Sequence, residues 1–194
     1  MFEHWYSVIS AGGPVTQGDL VLDCPLIRWK DPAQSFGSSE SETEQLQRSA
    51  EAFLADAIVM TQACDLEHSK VRNVVVCPHL SLSEYKDLWE CELKKHGNNP
   101  TAKGWRSHCD DISDGLVWNL ALLNCLTEGP ITTEHRIVDF HEVYTVPREF
   151  LETLLQHRSV PRLRLLPPYR EHLSQAFARF FMRVGLPSSI VKQW

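Results

Sequence analysis

The apolar residues of this chain come in short runs, and their spacing constrains the fold more than any other feature. GDLVLDCPLIRW (Gly18 to Trp29), AIVMTQAC (Ala57 to Cys64), NVVVCPH (Asn73 to His79) and HRIVDFHEVYTV (His135 to Val146) each have strand length. Polar or turn-forming segments separate them, as strands of one sheet require. PRLRLL is a further short strand. LVWNLALLNC (Leu116 to Cys125) fits a strand or a buried helix, and its turn-rich flanks favour the strand. Five or six short strands with helices between and after them predict the α+β class, a small curled sheet or barrel in one domain over residues 1–194.

Helix signals fall between the strands. Ser41 with Glu44, and Ser81 with Glu84, have the spacing of a capping box. The first predicts a short helix over Glu42 to Leu54, ending a long polar loop that spans residues 30–55. The second predicts a helix from Leu82 to His96 with Gly97 as its stop. Pro147 opens a helix through His157. A last helix runs from Tyr169 to Val184, with Leu173, Ala176, Phe177 and Phe180 on one face and Gly185 and Pro187 as stops. The stretch GNNPTAKGWRSHCDDISDG reads as irregular, and DLEHSKVR reads as a hairpin loop.

Charge is unevenly spread around the net value of -6. Residues 1–56 carry 3 basic and 9 acidic side chains, whereas residues 146–194 carry 8 basic and 3 acidic. That polarity argues against a uniformly cationic nucleic-acid binder and leaves room for one local basic face. The first residues hold Glu3 and His4 where a secretory leader carries Lys or Arg. No run reaches the roughly 18 apolar residues of a membrane span. The expected compartment is therefore the cytoplasm, with no membrane partner, and the six cysteines are expected to be reduced and packed as small hydrophobes.

The order of these elements resembles that of the MazF/PemK-type toxins. GDLVLDCP matches their first strand, a long loop follows, and AIVMTQACDL and RNVVVCPH match two adjacent strands. HRIVDFHEVYTV matches a later strand, and RLRLLPPYREHLSQAFARFFMRVGLP their closing strand and helix. The resemblance covers roughly residues 16–80 and 134–186, leaving 81–133 as an insertion. It implies a small SH3-like (MazF-like) β-barrel with a C-terminal helix, a homodimer, cleavage of single-stranded RNA and inhibition by a cognate antitoxin. The chain departs from the family at both catalytic places. Ala55–Asp56 stands where the family has its arginine, and Pro78–His79 where it has its threonine.

Three sets of residues carry candidate chemistry. Asp65, His68 and His79 pair imidazoles with a carboxylate, which suits acid–base cleavage of RNA, and Arg72 offsets charge on a scissile phosphate. The bland alternative is a hydrogen-bonded strand end with solvated charges. Cys64, His68, Cys77 and His79, with His108, Cys109, Asp110 and Asp111, offer zinc donors, but no C-x-x-C pair is present. His141 is a weaker candidate on an ordinary strand face. Arg158, Arg162, Arg164 and Arg170 form a basic cluster that would pair with phosphates or an acidic protein, or with the chain's own acidic residues. No phosphate-binding glycine loop, G-x-S-x-G or H-E-x-x-H occurs, so no cofactor is expected. Three functions follow: a toxin-derived protein-binding or regulatory module, a ribonuclease with a rebuilt site, or a zinc-stabilised fold.

Overall fold

The structure, a computed structural model, describes residues 4–30 and 41–182. Residues 31–40 of the predicted polar loop, and the predicted end of the last helix with its stops Gly185 and Pro187, lie outside the described residues.

The architecture is α+β. Strands β2 (Leu20–Trp29), β3 (Ala50–Val59) and β4 (Asn73–Ser81) pair antiparallel in chain order. The far edge of β4 carries both β6 (Arg136–Asp139) and β7 (Tyr144–Pro147), and β5 (Leu120–Leu123) pairs with β6. A separate antiparallel pair joins β1 (Tyr6–Ile9) to β8 (Arg162–Leu165). It meets the larger sheet at the Asp19–Arg164 bridge and through the Leu165 N–H, which donates to the Gly18 carbonyl. Among the described residues the strands do not close into a barrel.

Alternation along β3 and β4 explains why their sequences are continuously apolar. Ala57, Val59, Val74 and Val76 face one core, which α5 (Arg148–Arg158) closes with Leu151 and Leu155. Ile58, Met60 and Cys77 face another, closed by β1, β8, Phe140 and Leu173 of α6 (Tyr169–Phe181). A strand covered on both faces needs apolar residues at every position.

Several boundaries differ from expectation. Helix α1 (Glu42–Ser49) starts at the predicted capping box but ends at Ser49, and Ala50–Phe53 pair with Trp29–Leu26 instead. Cross-strand pairing outweighs the helical preference of Ala50, Glu51 and Ala52, because intrinsic propensity is small beside tertiary contacts. The strand ends at Val59 rather than Cys64, and Ala63–Glu67 form a short helix, α2, across the predicted strand's end and the start of the predicted hairpin loop. The segment expected to be irregular contains α4 (Ala102–Ser113), capped by the Thr101 hydroxyl. Between Arg136 and Pro147 the single predicted strand divides into β6 and β7. Phe140 turns into the core, and the His141 N–H donates to the Asp139 carboxylate. Helix α3 (Leu82–Lys95) follows its predicted box, and Gly97 sits at φ +74 at its stop. The 81–133 segment adds β5 to the sheet, so it is part of the packed fold.

Candidate functional site

The predicted acid–base group divides between two ends of the molecule. Asp65 lies on α2 and pairs with Lys70 at 3.6 Å. His68 caps the same helix through its backbone, and its side chain is exposed. Arg72 is exposed beyond it, its carbonyl accepting from the Arg148 N–H. The side-by-side pairing of β3 and β4 is as expected, with Ala57 opposite Pro78 and Val59 opposite Val76. That register puts α2 at the Val59–Val76 end and His79 beyond the other end. The strand from Asn73 to His79 spans about 20 Å at the usual rise per residue. The expectation that His68 and His79 meet is therefore corrected: the hairpin is right, but its loop joins the opposite end.

His79 is a core residue. It is 2% exposed, and neither ring nitrogen has a hydrogen-bond partner among the described residues. Beside it Arg136 of β6 pairs with Asp56 of β3 at 2.9 Å and donates to the Thr133 hydroxyl. Glu84 of α3 is held by the Ser81 hydroxyl and N–H. Burial pushes the imidazole down to about 4, the Arg136 charge acts in the same direction, and Asp56 and Glu84 oppose both. The ring is neutral at pH 7 and shut away from solvent, which removes it as a general acid or base.

The four predicted partner arginines are used inside the chain. Asp19, fully buried, accepts from Arg162 at 2.7 Å and from the Arg164 guanidinium. Arg162 also donates to the Gly13 and Pro14 carbonyls, and Arg164 to that of Pro14. Arg158 spans the Leu22 and Asp23 carbonyls at 2.6 Å each, tying α5 to the bulge of β2. Arg170 pairs with Glu171 at 2.6 Å. The chain's own groups hold all four: Asp19 takes Arg162 and Arg164, main-chain carbonyls take Arg158, and Glu171 takes Arg170. The expected free basic face is corrected accordingly.

The proposed zinc donors are dispersed. Cys64 is exposed while Cys77 is buried, its thiol pushed up to about 12 by burial, and His108 Nε2 lies 2.9 Å from the Tyr85 hydroxyl. Among the described residues no group of three or more His, Cys, Asp or Glu is gathered to hold a metal. His141 stands in the β6–β7 turn with its ring edge-on to Phe180 at 5.0 Å and its Nδ1 3.2 Å from Asp139.

A different feature stands out on the β2–β3 ribbon. Opposite register pairs share a face of the sheet, and side chains two apart on one strand do so too. Pro25, Ile27 and Trp29 therefore share one face with Leu54, Ala52 and Ala50. Every member is apolar, and Ile27 (71%), Trp29 (65%) and Leu54 (62%) are largely exposed. The opposite face, with Cys24 and Leu26, is buried in the core. The sequence carried a signal for this: Leu26 and Ile27 are adjacent, so they must point to opposite sides of one strand, and both sides need cover.

No family model matches the chain, and no curated protein matches it. Among the described residues no helix is long and apolar enough to cross a membrane.

Proposed function

We propose that this chain is a binding module that docks a protein partner through the outward face of the β2–β3 ribbon. The observation that carries the reading is that face itself: three large exposed apolar side chains, one of them Trp, on a ribbon whose other face is already packed. Contiguous exposed apolar surface marks interaction sites, and Trp is enriched among binding hot spots. The partner is an antitoxin-like or regulatory protein presenting an apolar segment, in a prokaryotic toxin–antitoxin or defence setting. The scaffold in this reading is a divergent, open form of the MazF/PemK-like SH3-like barrel, supported by the pairing of β3 with β4 and by β8 and α6 at the end of the fold. The family's ribonuclease places are occupied by groups with structural work. Asp56 serves Arg136 and the Asp23 N–H, and Pro78–His79 lie within β4. Loss of RNA cleavage with retention of docking follows.

The test is co-purification with proteins encoded beside this gene, using wild type and an Ile27→Asp/Trp29→Asp double variant. A stable complex with wild type and none with the double variant is the expected result. Equal capture by both, or self-association abolished by the same double variant, would overturn it. Cleavage of single-stranded RNA by the purified chain, lost in His68→Ala, would favour the ribonuclease instead.

A further inference from the structure

A second surface feature adjoins the docking face and shares Leu54 with it, but not Ile27 or Trp29. A cavity of about 580 Å³ lies between the start of β2, the loop at residues 131–133 and the α5–β8 connection. This is within the usual range of about 300–1,000 Å³ for small-molecule sites. Leu22, Leu54, Ile131 and Val160 give it an apolar wall. Three guanidinium side chains, Arg136, Arg158 and Arg162, line it as well.

Charge bookkeeping decides what such a cavity takes. Arg136 is balanced by Asp56. Arg162 and Arg164 share one carboxylate, Asp19. Arg158 is held by two carbonyls, which carry no formal charge, and Asp23 stands at the same wall. Counting the lining groups together with Asp56, Asp19 and Arg164 that pair with them behind the wall, four guanidiniums stand against three carboxylates, an excess of one positive charge. Arg162 also keeps one buried guanidinium nitrogen, Nη1, without a hydrogen-bond partner. An unpaired buried donor leaves that guanidinium only partly compensated inside the fold.

We propose that this cavity binds a small, singly charged carboxylate carried on an apolar chain. The single negative charge matches the excess of one, and a planar carboxylate suits guanidinium donors. A phosphate dianion would leave a negative charge uncompensated against an apolar wall, which is costly. The apolar tail of the ligand covers Leu22 and Val160, which are 50% and 54% exposed in the free chain.

Isothermal titration of the intact chain with octanoate, octanol, octyl phosphate and acetate tests this. Octanoate is expected to bind saturably at one site, about tenfold or more tighter than octanol, with acetate undetectable. Val160→Trp, which fills the cavity from its rim, is expected to weaken octanoate about tenfold without moving the urea midpoint. Leu22→Trp on the opposite wall serves the same purpose should Val160→Trp alter folding. Octanol binding as tightly as octanoate, octyl phosphate binding tighter, no saturable octanoate binding, or wild-type affinity in both tryptophan variants would each overturn the assignment. The Ile27→Asp/Trp29→Asp variant should keep full octanoate affinity, so failure of the docking reading and failure of this one are separable.

Discussion

At the base of the β2–β3 ribbon Ile58 is fully buried, whereas at its tip Ile27 is 71% exposed. The residue type and the pair of strands are the same. At the base, Leu20 and Val21 pair with Ile58 and Ala57, and both faces are covered, one by α5 and the other by β1, β8 and α6. At the tip only the face carrying Leu26 is covered. The contrast teaches that intramolecular packing accounts for the base but leaves half of the tip without a folding role. Substitutions at the base should therefore act on stability, and those at the tip on association.

The largest stability effect is expected where the base is locked to the β1–β8 pair. Asp19→Asn keeps the shape but leaves Arg162 and Arg164 without their carboxylate, and should cost about 3–5 kcal/mol in urea unfolding. A loss below about 1 kcal/mol would show the ion cluster to be dispensable to the base. Ile58→Ala removes a fully buried side chain and should cost about 2–4 kcal/mol, read the same way.

A third prediction concerns His79, close to the base. Its folded value, about 4, lies below its ordinary 6.5, so the folded chain resists the proton that the unfolded chain accepts. Stability from this residue is present above about 6.5 and is lost as the pH falls toward 4. The full loss is about 3 kcal/mol. His79→Phe should flatten the acid limb between those values, and an unchanged limb would place the sensitivity elsewhere. The smallest stability effect belongs to the tip. Ile27→Ala should shift the urea unfolding free energy by no more than about 0.5 kcal/mol. The same substitution should weaken partner binding measurably, and a large stability loss instead would make the tip part of the core.

Much of this fold was legible from local signals. The two Ser–Glu capping boxes and Gly97 located helix starts and a stop because each acts within one turn of its own helix. The doubly covered strands showed as VVV and AIVM because burial on both faces leaves no polar position. What was not legible depends on distant partners. β1 is four residues long, and its pairing with β8 cannot be inferred from YSVI. Ala50–Phe53 look helical until Leu26–Trp29 are placed beside them. The candidate site failed for a related reason. The pairing of β3 with β4 was correct, but strand direction decides which end the Asp65–His68 loop joins, and it is the end away from His79. The arginine cluster was visible as composition, whereas its acceptor, Asp19, lies across nearly the whole chain.

That separation has a consequence for synthesis. Pro14 and Arg164 touch across 150 residues, so β1 lacks its pairing strand and Asp19 its two arginines until β8 has left the ribosome. Closing so long a loop is slow and must precede the contacts that reward it. The nascent chain would thus carry an unpaired edge and an unneutralised aspartate while the 143 positions from Asp19 to Arg162 are added, and β8 completes the strand pair that β1 begins.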